Sequence, residues 1–261
     1  MTSLVLLADE PLAAHTAHRT GGACALLAVA HREHALGDAI RAVSAVSPSW
    51  RPLGAGTRVV AKDGEHPGAL LRLGSDYQRV TVEEHGLTVG AALPLPALYA
   101  IAARLGFAGL PAMQGVGSVG ASLVLDVWGE EVSEVSYLWR GRPQWGALEQ
   151  ARRSRLILGV RFSLRAGRPE VLGRKLRRRL GEGGLSSWYP WSARLRRQLA
   201  RVTVPGVRVH TVWVPPAAPE MLVNLGGATA EELALVHRSV QDRVRKLRGE
   251  EIGSAVQWLG R

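Results

Sequence analysis

Two short glycine-dense segments constrain this chain more than any other feature. Pro52-Leu53 leads into Gly54-Ala55-Gly56-Thr57-Arg58, and Val59-Val60-Ala61 follows, so the spacing predicts strand, tight loop, strand. A second dense stretch runs from Gly109 to Gly120 and contains Gly115-Val116-Gly117-Ser118-Val119-Gly120-Ala121. Glycine allows backbone conformations and close approaches that a side chain blocks. Loops of this kind serve either as turns at strand ends or as cradles whose N–H groups reach an anion, and a lone Gly-x-Gly does not choose between them.

Around these loops the periodicity is that of a mixed protein. Ala25 to Val29 reads as a strand leading into a helix with apolar Ala35, Leu36, Ile40 and Val43. Short strands are predicted at Leu70–Leu73, Tyr77–Val82 and Leu87–Ala91. A helix follows from Pro94 through Leu98, Ile101, Ala102 and Leu105, ending at Gly106. Ser133–Leu138 and Leu156–Leu164 read as strands flanking a turn at Arg140-Gly141-Arg142-Pro143. Beyond them the pattern predicts a helix over Ser192–Arg201 and strands at Val207–Val214 and Met221–Leu225. A long final helix runs from Thr229, with Glu231 and Glu232 in its first turn and Leu233, Val236, Val240, Val244 and Leu247 on one face.

At 261 residues the chain is long enough for two compact units, or one with an appended lobe. The arginine-rich stretch Arg165 to Gly184 is the boundary candidate. Hydrophobic and charged fractions of 46% and 21% exclude disorder and collagen. The single cysteine, Cys24, excludes an intrachain disulfide and a multi-cysteine metal cluster, and no metal site is expected. Leu4 to Ala8 lacks a preceding basic residue and meets Asp9 and Glu10 at once, so it does not read as a signal peptide. Pro94 and Pro96 interrupt the longest uncharged stretch, Gly86 to Ala103, which argues against a membrane span. A cytoplasmic protein is expected. The net charge of +11 is nearly all arginine, since Lys62, Lys175 and Lys246 are the only lysines; it speaks to association rather than fold.

Taken in order, the segments form a recognisable series. His15-Thr16 with Gly21-Gly22-Ala23 precedes the first glycine loop; Gly109-Leu110 precedes the second. Leu156-Ile157-Leu158-Gly159-Val160-Arg161-Phe162 follows, then Leu222-Val223-Asn224-Leu225-Gly226-Gly227-Ala228-Thr229-Ala230. The series resembles the flavoprotein UDP-N-acetylenolpyruvoylglucosamine reductase of bacterial peptidoglycan synthesis, over nearly the whole chain. The resemblance implies an α+β fold, with a two-lobed FAD-binding domain over residues 1–165 and a reduced substrate-binding domain over 166–261. It implies FAD as cofactor, held by Gly54, Ala55, Gly56, Thr57, Arg58, Gly115, Val116, Gly117, Ser118, Gly120 and Ala121, with NADPH and a UDP-sugar as partners. Backbone N–H groups of the loops would approach the pyrophosphate of the flavin dinucleotide, facing it across a cleft. Arg58, which replaces the usual asparagine, would pair with a phosphate or turn to solvent.

Active-site matches are sparser. The resemblance implies an arginine in a Gly-Tyr-Arg segment, which aligns with Trp145 to Gln150 and leaves Ala147 and Leu148 in place of Tyr and Arg; Arg152 and Arg153 follow closely. The expected glutamate aligns with Ala255, with Glu250 and Glu251 nearby. The expected proton-donating serine aligns with Leu185, one residue from Ser186, the surviving catalytic candidate.

Three readings follow. One is a divergent working reductase with compensated substitutions. Another is a catalytically silent scaffold or regulator in cell-wall assembly, with or without flavin. The third is a nucleic-acid binder using Arg174 to Arg179, Arg194, Arg196, Arg197 and Arg201 with Trp188, Tyr189 and Trp191; it is the least favoured, because no nucleic-acid-binding motif accompanies the charge. Flavin retention and oligomeric state are not legible in the residues.

Overall fold

The structure, a computed structural model, describes residues 2–110, 117–125, 128–173, 188, 199, 208–215, 221–254 and 256–260, apart from the side chains of Pro67 and Leu125. It is an α+β protein.

The first lobe comprises β1 (Leu4–Pro11), β2 (Ala23–Ala30), α1 (Leu36–Val46), β3 (Arg51–Pro52), β4 (Val59–Ala61) and β5 (His66–Leu73). Strands β1, β2, β5 and β3 form one sheet in that order; β1 runs antiparallel to β2, and β5 runs parallel to both its neighbours. Leu36, Ala39 and Val43 recur at helical spacing and bury one face of α1 against Ala28, Ala30, Ala69 and Leu71. The helix stops where Pro48 forces Ser47 into extended backbone, φ −148° and ψ 119°. Strand β4 leaves this sheet. The strand–loop–strand of the first glycine segment therefore joins two different sheets.

The second lobe comprises β6 (Val80–Glu83), β7 (Gly86–Gly90), α2 (Leu95–Leu105), β8 (Phe107–Ala108), α3 (Val119–Leu125), β9 (Val132–Trp139), β10 (Arg142–Gly146), α4 (Leu148–Arg152) and β11 (Ile157–Ser163). An antiparallel sheet of order β10-β9-β11-β7-β6 packs Leu87, Val89, Val135, Val160 and Phe162 against Leu95, Leu98 and Leu123 of α2 and α3. Leu138, Leu156 and Leu158 instead join the core of α1 with Trp50, which fastens the two lobes together. Gly106, at φ +75°, ends α2 as expected.

Two expectations change here. Tyr77 lies in a short 3-10 turn, Ser75–Gln78, and the strand starts only at Val80, because the Asp76 carboxylate takes hydrogen bonds from Arg32, Glu33 N–H and Arg79 and bends the chain. The turn at Arg140-Gly141 returns not into β11 but into β10, which pairs with β9 from Trp139 to Val135; β11 lies on the other edge of β9.

Further along are β12 (Arg165–Ala166), paired with β8, then β13 (Arg208–Val209), β14 (Val212–Trp213), β15 (Val223–Asn224), α5 (Ala230–Arg248) and β16 (Gln257–Leu259). The single strand expected over Val207–Val214 is a hairpin, since His210 adopts φ +51° and reverses the chain. Thr229 caps α5 in a full capping box with Glu232, and the Asp63 carboxylate, just past β4, accepts from Ala230 N–H at 2.8 Å. Leu233, Val236, Val240 and Val244 of α5 pack with Val212, Val214, Leu222 and Trp188, and Val60 of β4 completes that core. Strand β16 pairs in parallel with β4. The expected helix over Ser192–Arg201 lies outside the described residues except for buried Leu199. Among the described residues no helix is long and apolar enough to cross a membrane.

Candidate active site

The first glycine loop lies between β3 and β4. Gly56 adopts φ +69°, and a Cβ there would stand 1.9 Å from the carbonyl oxygen of His15, so only glycine fits. Its own carbonyl accepts from Ala17 N–H at 3.0 Å. The N-terminal segment is thus laid directly on the loop. Among the described residues the N–H groups of Gly54, Ala55, Gly56 and Thr57 have no hydrogen-bond acceptor. Successive unoccupied backbone donors of this kind form an anion-binding concavity.

The second loop comes to the first. A Cβ at Gly54 would lie 2.9 Å from Ser118 Oγ and 3.6 Å from Ala121 Cβ, and one at Gly117 would lie 3.6 Å from Thr57 Oγ1. Residues 54 and 57 therefore adjoin 117, 118 and 121. Two N–H groups of the second loop are already committed, Val119 to Leu93 O at 2.9 Å and Gly120 to Ala91 O at 2.8 Å. Gly120 packs on Ala91, where a Cβ would meet the alanine Cβ at 2.9 Å. Its role is close packing, and among the described residues the first loop carries more free donors than the second. Gly115 and Val116 lie outside the described residues.

Arg58 is buried, 6% exposed, which excludes the solvent orientation of its side chain. Its carbonyl accepts from Gln257 N–H at 2.8 Å, so the C-terminal strand is tied to the end of the loop. Position 255 lies outside the described residues; Glu251, four positions before it, is exposed.

Beneath the first loop is a polar chain that the sequence does not reveal. Arg72 of β5 donates to His15 Nδ1 at 3.0 Å and lies 3.4 Å from His15 O, while His15 Nε2 lies 2.7 Å from Glu10 Oε1. A guanidinium only donates, so Nδ1 accepts and the ring proton sits on Nε2, facing Glu10. Burial lowers the pKa of Arg72 from its ordinary value. Glu10, His15 and Arg72 meet only through the sheet, and no local spacing signals it.

Of the two arginines after Leu148, only Arg152 contacts α3. Arg152 donates from Nε to Leu123 O at 2.9 Å and pairs with Glu149 at 3.0 Å. Leu123 lies on α3, about one turn past Gly120. Arg153 is exposed and lines a different depression, with Trp50 and Trp139. Leu148 packs against the core of the second lobe.

Ser186, the basic stretch 174–179 and Arg194, Arg196, Arg197 and Arg201, with Tyr189 and Trp191, lie outside the described residues. Trp188, fully buried, packs edge-on to His18 at 4.8 Å and lies 5.4 Å from His237 and 6.1 Å from Trp258. Burial holds both histidines at a pKa of about 4, well below the ordinary 6.5. His18 O accepts from Asn224 Nδ2 at 2.6 Å, which fastens the N-terminal segment to β15. Among the described residues no cluster of His, Cys, Asp and Glu could hold a metal ion.

Comparison with known proteins reaches the same architecture independently. No protein-family model matches the chain. UDP-N-acetylenolpyruvoylglucosamine reductase 1 of Bacillus anthracis is 24% identical over 293 aligned positions, covering 98% of this chain and 95% of the relative. The corresponding reductase of Rubrobacter xylanophilus is 27% identical, covering 97% and 94%. The crystal structure of UDP-N-acetylenolpyruvylglucosamine reductase from Thermus caldophilus superposes with a TM-score of 0.74 at 20% identity, over 98% of this chain and 99% of that one. Its fold is therefore shared from end to end. With the glycine loops, the returning C-terminal strand and this nearly full-length similarity in agreement, the chain shares the fold of the UDP-N-acetylenolpyruvoylglucosamine reductases and is similar to them, as a divergent relative, over nearly its whole length.

Proposed function

We propose that this protein binds FAD and reduces the enolpyruvyl group of UDP-N-acetylglucosamine enolpyruvate with NADPH, in cytoplasmic peptidoglycan precursor synthesis. The observation that carries the reading is the junction of the two glycine loops, where the missing Cβ of Gly54 lets Ser118 approach closely and, among the described residues, four consecutive N–H groups have no acceptor. These residues fit a dinucleotide pyrophosphate, which needs close backbone approach and several donors. When bound, a flavin supplies a ring that accepts and returns hydride. In this reading Gly54 to Thr57 hold the pyrophosphate, Ser118 and Ala121 bound its other side, and Arg58 anchors the loop to β16.

Residues 1–165 form the cofactor domain in this proposal, and residues 166–261 the substrate domain, its last strand returning to β4. Arg152, reaching α3, is the cation for the substrate carboxylate in place of Leu148. Ser186 is the proton donor to the carbon next to the reduced one. The working-reductase reading is preferred over a silent scaffold because the Arg152 guanidinium reaches from α4 to α3 despite the substitution at Leu148. The test is the visible spectrum of the purified protein, followed by NADPH oxidation dependent on the enolpyruvyl sugar nucleotide. Flavin with turnover is expected; flavin without turnover would favour the scaffold, and no flavin would overturn the cofactor assignment.

A further inference from the structure

A depression of about 330 Å³ lies between α1 and the β9–β10 hairpin, and the reductase reading does not use it. Trp50, Trp139, Arg140, Arg153 and Arg155 line it, and among the described residues no carboxylate does. Trp50 precedes β3 and Gly54 follows it, which separates the two sites by roughly 13 Å of extended chain. Arg155 is held in place, donating to Pro48 O at 2.9 Å with its guanidinium carbon 5.1 Å from the Trp50 ring centre. Arg140 and Arg153 are exposed and form no ion pair among the described residues. Trp139 leaves 47% of its surface exposed beside them.

Arg140 has φ +47° and Gly141 φ +78°. Both central residues of this hairpin turn are left-handed, a geometry that favours Asn or Gly at the first position. Arginine there is conformationally disfavoured, yet it aims a third guanidinium at the depression. Such outliers point toward function when the side chain has something to do.

We propose that this depression binds a nucleoside phosphate. Arg140 and Arg153, with Arg155 behind them, match the bidentate geometry of phosphate oxygens. Trp139 offers an exposed face on which a base stacks. The volume suits a small ligand rather than a protein segment.

The test is calorimetric titration of the protein as purified with ADP, UDP and inorganic pyrophosphate, for wild type, the double variant R140G/R153Q, and W139A. Nucleoside diphosphate binding at this site weakens by about tenfold or more in R140G/R153Q, through loss of two charge-assisted contacts. The melting temperature stays level or rises, because glycine relieves the left-handed position. W139A weakens the nucleotides and leaves pyrophosphate unchanged. Exchange protection on ADP addition falls within residues 138–141 and 153–155, which separates this site from any nucleotide bound at the reductase site. Unchanged nucleotide affinity in R140G/R153Q, or no binding by wild type at millimolar concentration, would overturn the proposal. Pyrophosphate binding equal to that of ADP and unaffected by W139A would overturn the nucleoside part, leaving an anion site.

Discussion

The backbone N–H of Gln257 donates to the carbonyl of Arg58 at 2.8 Å. The last strand of the chain is therefore hydrogen-bonded to the end of the first glycine loop, and Lys62 N–H continues the pairing to Leu259 O, also at 2.8 Å. Whatever the loop binds, its shape depends on residues from the far end of the chain.

Gly54 and Gly56 should respond differently to alanine. At Gly56 a Cβ meets the His15 carbonyl backbone at 1.9 Å with φ at +69°, so Gly56→Ala should lose about 2 kcal/mol or more of stability, measured by denaturant unfolding. At Gly54 the nearest atom is the rotatable Ser118 hydroxyl, so Gly54→Ala should fold normally and lose flavin occupancy in the visible spectrum. Equal flavin content in Gly54→Ala and wild type would count against the cradle.

Acid should destabilise the protein between pH 6.5 and 4. His18 and His237 stay neutral when folded down to about pH 4, whereas the unfolded chain protonates them near the ordinary 6.5. The unfolded state thus binds more protons in this window, and stability falls as pH falls through it, by an amount on the order of 3 kcal/mol per histidine. The contribution is fully present above pH 6.5. Melting temperatures across that range should drop steeply in wild type and less steeply in His18→Gln, even if the variant starts lower.

Arg152→Ala should lower kcat/KM by about a hundredfold or more, since it removes a charged contact to the substrate carboxylate. Arg152→Lys should recover part of it, because lysine keeps the charge without the fork. Arg142→Ala, on exposed β10, should be neutral. Turnover in Arg152→Ala equal to wild type would assign the carboxylate to another group.

Ser186→Ala should abolish turnover while leaving flavin content unchanged, and Ser187→Ala should be milder. Stopped-flow reduction by NADPH should remain normal in Ser186→Ala, which separates loss of the proton donor from loss of the cofactor.

Thr229→Ala should cost about 1 kcal/mol, the usual value of an N-cap, with no effect on the spectrum. The Asp63 contact to Ala230 N–H limits the loss, so Asp63→Ala combined with Thr229→Ala should exceed either alone in a thermal melt.

Local signals were enough for the parts of this protein that form locally. Helices α1, α2 and α5 are written in apolar spacing and end signals: Pro48 after α1, Gly106 after α2, Thr229 and Gly249 around α5. Both glycine loops stand out because the backbone there needs what only glycine permits, as at Gly56. Where the reading failed, a distant or side-chain partner had decided the outcome. Asp76 bends the chain that alternation assigned to strand, and β10, four of whose five residues are exposed, lacks the buried face that alternation detects.

The residue pattern alone thus determined most of the elements, their order and the pair of glycine loops, because backbone propensity and burial periodicity depend on neighbours in the chain. Only the tertiary structure decided that Gly54 faces Ser118, that Arg152 rather than Arg153 reaches α3, and that Arg72 holds His15. Those pairings depend on sheet order and on how the lobes pack, and residues far apart in sequence carry no local record of which of them will meet.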